Sequence, residues 1–191
     1  MARRKTITRE QILKAAYEIV ATEGFSKFTA RNIAHKMKCS TQPIYLEFEN
    51  MQELKDVLLD KLYDQLANKY FTQEYTGKPV LDLVLSYIHF AKEHKQLYRA
   101  LYFEESGEDN RMSRFSEDYF RNVVQKDAYF KDLTVEQIDS LHMGCWIVAT
   151  GVATLMSSGI INVSDEEITA LIDETVASVI DRGTKVIFKE T

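Results

Sequence analysis

One short stretch of the chain collects side chains that suit contacts with nucleic acid. Thr41 and Gln42 carry donors and acceptors that address base edges, and Pro43 can touch a thymine methyl group. The hydroxyl of Tyr45 suits a phosphate oxygen. Together with neighbouring helix caps and basic residues, the candidate nucleic-acid contacts are Arg3, Arg4, Lys5, Thr29, Arg31, Ser40, Thr41, Gln42, Pro43, Tyr45 and Leu46.

The distribution of charge favours the same part of the chain. Residues 1–50 hold nine basic and five acidic side chains, whereas residues 51–191 hold 15 basic and 24 acidic ones, and the net charge is −5. Because salt screens exposed charges beyond roughly 10 Å, the local surplus counts for more than the total. Arg3, Arg4 and Lys5 would form a basic arm able to reach a DNA backbone or minor groove.

Helical patterns predict the elements that position these residues. A first helix begins at a capping box of Thr8 and Gln11 and ends at Gly24. Thr29 caps a second helix, and Ser40 caps a third of about two turns. Capped N-termini direct backbone N–H groups outward, where they can meet phosphates. Two short helices joined by a tight turn and closed on a first helix have the geometry of a helix-turn-helix.

The remainder of the chain is also predicted to be helical. No stretch alternates apolar and polar residues as a strand would, and the clearest break is at Gly77 and Pro79. Further helices are expected from Asn50 onward, over about 80–94, 96–103 and 112–130, from Thr134 to Gly159, and from Ser164 onward. The fold class is therefore predicted to be all-α, with about nine helices.

Residues 140–164 contain no charged side chain, which raises the alternative of a membrane span. The segment is interrupted by Ser-Ser-Gly at 157–159 and flanked by acids, and a helix that is apolar all round also suits a protein core. The first ten residues lack the apolar stretch of a signal peptide, and Cys39 and Cys145 lack the pattern of a disulfide framework. We therefore expect a cytoplasmic protein that does not bind a membrane.

Two spacings could present a pair of metal ligands on one helix face. His89 and Glu93 are four residues apart, and His142 and Cys145 are three apart, but neither pair has a second pair at recognisable spacing. Nucleophile, zinc-protease and phosphate-loop motifs do not occur in the sequence. The acidic residues within 104–109 are interpreted as a solvated loop. We expect no enzyme, no metal and no cofactor.

The segment from Phe28 to Leu54 resembles the DNA-binding head of the tetracycline-repressor (TetR) family of transcriptional regulators. The matching residues are a capping Thr, an Ile-Ala pair, a Ser at the turn, a Tyr-x-x-Phe and a later Leu, namely Thr29, Ile33, Ala34, Ser40, Tyr45, Phe48 and Leu54. The resemblance implies a helix-turn-helix DNA-binding domain over 1–50 and a helical effector-binding and dimerisation domain over 51–191. It implies a ligand-responsive regulator, usually a repressor, that binds a near-palindromic double-stranded operator as a homodimer.

The resemblance also implies an effector pocket in the second domain. The middle of the chain is rich in aromatic residues, which suits a small apolar or aromatic effector. The candidate lining residues are Tyr63, Tyr70, Tyr87, Phe90, His94, Tyr98, Tyr102, Phe103, Phe115, Tyr119, His142, Met143, Trp146 and Thr150. The alternative for each of them is ordinary core packing.

The last two long helices are implied to form the dimer interface as a four-helix bundle. Glycines seven residues apart would let a partner helix approach closely, and the last helix has an apolar stripe. The candidate interface residues are Gly144, Val148, Gly151, Leu155, Ile168, Ile172, Val176, Val179 and Ile180. The stripe could equally pack within one chain.

Three positions depart from the family pattern. Lys38 stands where Gly is usual at the turn, Met51 stands where Lys is common, and Glu47 occupies a position expected to face a phosphate. A left-handed backbone at Lys38 would cost about 1 kcal/mol relative to Gly. These departures leave an alternative function open, an all-α small-molecule-binding or protein-interaction module whose DNA-binding head is degenerate.

Overall fold

Helices follow one another along the described chain. The computed structural model describes residues 7–105, 111–181 and 186, and within these ranges the regular secondary structure is entirely helical. The α-helices there are α1 (Arg9–Glu23), α2 (Ala30–Lys36), α3 (Gln42–Glu47), α4 (Met51–Gln65), α5 (Pro79–Glu93), α6 (Lys95–Arg99), α7 (Arg111–Val124), α8 (Val135–Ser157) and α9 (Asp165–Ile180). The predicted all-α class with about nine helices is confirmed.

Four short turns accompany these helices. Phe25–Lys27 and Ala128–Phe130 are 3₁₀ turns, whereas Leu66–Tyr70 and Ala100–Glu104 are π-helical turns that extend α4 and α6. Of these turns, Phe25–Lys27 lies in the predicted head, between α1 and α2.

Local capping fixes most helix starts as predicted. Capping boxes at Thr8, Thr134 and Ser164 begin α1, α8 and α9. The predicted cap of α3 is wrong, because Thr41 rather than Ser40 is its N-cap and no side chain caps it. An N-cap side chain accepts an N–H two or three residues on, and from Ser40 the third position is Pro43, which has no N–H.

The helix predicted over 112–130 is shorter than expected. It ends at Val124, and the carboxylate of Asp127 then accepts the N–H of Tyr129 at 2.9 Å, which begins a separate 3₁₀ turn. Asp side chains compete with the helix for backbone N–H groups in this way.

The described residues divide into two compact units. One contains residues 7–65 and 96–105, and the other contains 66–95, 111–181 and 186. The first unit therefore holds α4 and most of α6 in addition to the predicted head. The functional assignment of residues 1–50 and 51–191 stays a prediction.

The first unit is organised around α1, which packs against α2, α3 and α4. Ile12 of α1, Ile33 of α2, Ile44 of α3 and Leu54 of α4 are fully buried. Each full burial of such a side chain stabilises the fold by about 1.5–3 kcal/mol, so these four residues hold the short helices in place.

The second unit is a helical bundle in which α8 packs against α5, α7 and α9. Leu141, Cys145 and Ala149 of α8 are buried. By length and composition alone α8 could also cross a membrane. Burial raises the pKa of the Cys145 thiol to about 12, so the thiol stays protonated and acts as an apolar core group.

A buried carboxylate shapes the predicted break before α5. Gly77 has a positive φ of 76°, and Pro79 begins α5. Asp82 is 6% exposed, and its carboxylate accepts the N–H groups of Tyr75, Thr76 and Gly77 at 3.2, 2.7 and 3.1 Å. These bonds anchor the loop to the first turn of α5.

Candidate nucleic-acid interface and effector domain

The two short helices of the head are joined by the predicted left-handed turn. Thr29 caps α2 by accepting the N–H of Asn32 at 3.2 Å, as expected. Lys38 has a φ of 55°, and the following N–H of Cys39 donates to the carbonyl of Ala34 at 3.0 Å. The turn therefore closes with a non-glycine residue in a conformation that favours glycine.

The α3 helix turns one face inward and presents the other to solvent. Ile44 is fully buried, whereas Tyr45 is 52% and Leu46 is 75% exposed. Thr41 and Gln42 are exposed as well, and Pro43 is half-buried in the first turn. The predicted contact residues of this helix thus lie together on an accessible surface.

Arg9 holds the C-terminal end of α3 against α4. Its guanidinium donates to the carbonyl of Glu47 and to the carboxylate of Glu53, the latter at 2.8 Å, and lies 4.0 Å from the ring centroid of Phe48. The carboxylate of Glu53 also accepts the N–H of Glu49 at 2.6 Å. The hydrogen bond from Arg9, and to a smaller extent the one from the N–H of Glu49, hold the pKa of Glu53 below its usual value.

The role of Arg9 is not evident from the sequence. In the sequence Arg9 is only one basic residue of the first helix, because its partners Glu47 and Glu53 lie 38 and 44 positions away. Planar bidentate donation together with stacking on a ring suits Arg better than Lys.

The other predicted contacts of the head lie in different environments. Thr29, Arg31 and Ser40 are exposed. Arg3, Arg4 and Lys5 lie outside the described residues.

Glu104 and Glu105, the first two acidic residues of the predicted solvated loop, make contacts within the first unit. Glu104 accepts the N–H of Phe25 at 2.9 Å, and Glu105, whose side chain is 5% exposed, lies 3.3 Å from the ammonium of Lys55. The prediction is wrong for these two positions because each carboxylate meets a donor distant in sequence. The rest of the predicted loop, from residue 106 to 109, lies outside the described residues.

The predicted effector residues are divided between the two units. Tyr63, Tyr98, Tyr102 and Phe103 belong to the first unit, where the rings of Tyr98 and Tyr102 lie 5.0 Å apart and Phe103 is exposed. The residues of the second unit are Tyr70, Tyr87, Phe90, His94, Phe115, Tyr119, His142, Met143, Trp146 and Thr150.

His142 is the centre of one aromatic cluster in the second unit. Its ring lies 5.1 Å from that of Phe120 and is parallel to that of Trp146 at 6.2 Å. The hydroxyl of Ser116 is 3.0 Å from Nε2. Burial lowers the pKa of His142 to about 4, so the imidazole is neutral near pH 7 while it shares this hydrogen bond with Ser116.

The indole N–H of Trp146 is buried and has no acceptor among the described residues. Buried donors without a partner are uncommon, and each one costs about 1–3 kcal/mol. Trp146 is therefore a predicted effector residue whose hydrogen-bond donor the described residues leave unmatched.

Other predicted effector residues already contact one another or the backbone. The hydroxyls of Tyr87 and Thr150 are 3.0 Å apart, and the hydroxyl of Tyr119 lies 3.2 Å from the carbonyl of Ala67. The rings of Tyr70, Phe90 and His94 pack together, as do those of Phe115 and Tyr119. These contacts are those of a packed interior, which is the alternative left open for each residue.

The apolar stripe of α9 is buried within its own chain. Ile168, Ile172, Val176 and Val179 are all buried, and Ile180 is half-buried. These positions pack in the single chain, so the surface available to a partner is formed by other residues.

A second apolar face of α8 and α9 is exposed instead. Ile147, Leu155 and Leu171 are 46%, 39% and 46% exposed, and Gly151 opens to solvent between the first two. Val148 is half-buried. A Cβ at Gly144 would lie 3.1 Å from the side chain of Thr175, so this glycine serves the packing of α8 on α9. Leu171 belongs to the apolar pattern of the last helix, whereas Ile147 is not among the predicted interface residues, although its position four residues before Gly151 could have indicated it.

The comparison with known proteins rests on structure. No family model matches the sequence, and no curated protein matches it at a significant level. A TetR-family protein from Vibrio parahaemolyticus has a TM-score of 0.66 and 15% identity, over 88% of this chain and 96% of that one.

Two further solved structures have the same fold. A TetR-like transcriptional regulator from Rhodococcus sp. RHA1 has a TM-score of 0.58 and 13% identity, over 94% of this chain and 99% of that one. The transcriptional regulator FadR from Bacillus subtilis, solved with stearoyl-CoA, has a TM-score of 0.62 and 14% identity, over 91% and 98%. The chain therefore has the fold of TetR-type regulators, and the resemblance noted in the head is confirmed at the level of the fold.

Proposed function

We propose that the chain is a ligand-responsive transcriptional regulator of the TetR type that binds double-stranded DNA. The observation that carries the proposal is the exposed face of α3, where Tyr45 and Leu46 are accessible although Ile44 of the same helix is fully buried. Two large neighbouring side chains, exposed on a helix whose opposite face is buried, form a surface that a partner could cover. The shared fold with transcriptional regulators supports DNA as the partner.

In this proposal α3 enters the major groove. Gln42 and Thr41 address base edges, and the hydroxyl of Tyr45 donates to a phosphate. The contacts of Arg9 fix the far end of α3, so that the reading face is presented by a rigid element. A rigid element keeps the orientation on which hydrogen-bond readout depends.

The regulator acts as a homodimer on a near-palindromic operator, in the cytoplasm. The exposed face formed by Ile147, Gly151, Leu155 and Leu171 supplies an apolar surface that a second copy would cover. A two-fold axis through this face would pair each helix with its own copy. Two heads would then occupy successive major grooves about 34–36 Å apart.

The effector binds in the second unit and is small and apolar or aromatic. The cluster of His142, Phe120 and Trp146 offers aromatic surface with one unmatched donor. The stearoyl-CoA in FadR of Bacillus subtilis supports an apolar effector. To release DNA, the effector must favour the other conformation by a coupling of typically 1–3 kcal/mol.

A second candidate function is a small-molecule-binding or protein-interaction module with a degenerate head. Glu47 and Met51 favour it, since neither supplies the positive charge that a phosphate contact needs. Lys38 does not weaken the first proposal, because the turn forms with its φ at 55°.

Selection of DNA from a randomised library by the full-length chain separates the two functions. Titration of the selected duplex, followed by fluorescence anisotropy, should show Gln42→Ala and Tyr45→Phe losing about tenfold or more in affinity. Matched substitutions at exposed residues of the second unit, Gln73→Ala and Tyr129→Phe, should bind as the wild type does. Failure to enrich any sequence would favour the module without DNA recognition, whereas equal binding of a selected duplex by all four variants would overturn the assignment of the readout to α3.

A further inference from the structure

A cavity of about 450 Å³ opens in the second unit beside α5 and α9. Its volume lies within the range of small-molecule sites. The buried side chains of Val80, Leu81, Phe130 and Val176 supply the apolar part of its wall. The charged and polar lining residues are Lys78, Asp127, Tyr129 and Asp173. None of the predicted effector residues lines this cavity.

The charges of this cavity do not balance. The ammonium of Lys78 lies 3.7 Å from the carboxylate of Asp173, and both side chains are more than half exposed. Asp127 adds a second carboxylate, held in place by the N–H of Tyr129 at 2.9 Å. With two acids and one base among the described lining residues, these residues carry one negative charge beyond their own ion pair.

The residue that donates its N–H to Asp127 also supplies an exposed aromatic ring. The side chain of Tyr129 is 69% exposed and meets the ring of Phe130 edge to face, with centroids 4.9 Å apart. Aromatic faces attract cations, whereas a packed interior would have covered such a ring. An anionic ligand would meet the carboxylate of Asp127, and Lys78, the one cation among the described lining residues, is already paired with Asp173.

We propose that this cavity binds an organic cation with an apolar or aromatic body. The body would cover Val80, Leu81 and Phe130, and the positive charge would lie near Asp127 and Tyr129. This inference goes beyond the proposed effector cluster at His142. It concerns ligand binding by the second unit. The cation proposal can therefore fail while DNA recognition by α3 holds, and DNA recognition can fail while the cavity still binds a cation.

Tetraphenylphosphonium and tetraphenylborate provide the test, because they have nearly the same shape and opposite charges. Calorimetric titration of the full-length chain should show the phosphonium binding at least tenfold more tightly than the borate. Asp127→Asn keeps an acceptor for the N–H of Tyr129 and removes the charge, so phosphonium affinity should fall about tenfold. Lys78→Gln removes the competing cation, so phosphonium affinity should rise.

Two further variants separate the cavity from general attraction to an acidic protein. Asp132→Asn removes an exposed acid that does not line the cavity, and it should leave phosphonium affinity unchanged. Ala177→Leu fills part of the cavity and should reduce phosphonium binding strongly. Its melting temperature should equal that of the wild type, which shows that the variant is folded. Equal affinity for both probes, equal effects of Asp127→Asn and Asp132→Asn, or no change in Lys78→Gln would overturn the proposal.

Discussion

His142 is expected to make the stability of the second unit depend on pH. Its side chain is 8% exposed and lies between the rings of Phe120 and Trp146. Burial is the main cause that lowers its pKa from 6.5 to about 4, with Asp139 opposing and Arg121 adding to the shift.

The direction and size of the effect follow from linkage. As the pH falls below 6.5, the unfolded chain takes up a proton at this imidazole, whereas the folded chain does so only near 4. The contribution is fully present above pH 6.5 and is lost as the pH falls through 4. The pKa difference corresponds to about 3 kcal/mol in total, of which about 2 kcal/mol is lost between pH 7 and 4.5.

Urea unfolding of the wild type and of His142→Gln at several pH values between 7 and 4.5, followed by circular dichroism, measures this loss. The glutamine amide can donate to the hydroxyl of Ser116 or accept from it, and it does not titrate. The wild type should lose about 2 kcal/mol more than the variant over this range. His35→Gln, at an exposed histidine, should behave as the wild type. Parallel losses in the wild type and in His142→Gln would refute the reasoning.

Three further predictions concern the turn, the loop and the dimer. Lys38→Gly should raise the free energy of unfolding by about 0.5–1 kcal/mol, because the φ of 55° favours glycine, whereas Lys38→Ala should give no gain. Asp82→Asn should lower it by about 2 kcal/mol, because the new amide nitrogen cannot accept the N–H of Gly77 and the bonds from Tyr75 and Thr76 lose a charged acceptor, and urea unfolding measures both changes. Leu171→Glu should yield monomers in sedimentation equilibrium, whereas Val135→Glu, at an exposed residue outside the proposed face, should not. No gain in Lys38→Gly, wild-type stability in Asp82→Asn, or a persistent dimer in Leu171→Glu would contradict these expectations.

The local structure of the head could be predicted because its causes lie close together in sequence. The capping box of Thr8 joins residues three positions apart, and so does the cap of Thr29. The left-handed turn at Lys38 follows from the tight spacing of two helices. The exposed side of α3 follows from the inward position of Ile44.

The contacts that fix the head could not be predicted, because they join distant positions. Arg9 meets Glu53 44 residues away, and Glu104 meets Phe25 79 residues away. The sequence shows that Glu53 and Glu104 are charged, but it does not show which hydrogen-bond donor each carboxylate contacts. The same limit applies to the cavity, whose lining residues come from three separate parts of the second unit.

An apolar stripe predicts that one face of a helix is buried, but it does not predict which helix covers that face. The pattern at Ile168, Ile172 and Val176 fits both a dimer interface and an interior, and the structure buries these residues in one chain. The aromatic residues of the middle segment show the same ambiguity, because helical spacing does not distinguish a pocket wall from a core.

The affinity of the full-length chain for its selected duplex, compared with a scrambled duplex of equal length over a range of salt concentrations, tests the central proposal most directly. If α3 reads the major groove, the selected duplex should bind at least about a thousandfold more tightly at physiological salt. Affinity should also fall steeply as salt rises, because phosphate contacts release counterions. Equal affinity for the two duplexes, or an affinity independent of salt, would contradict DNA recognition by this face.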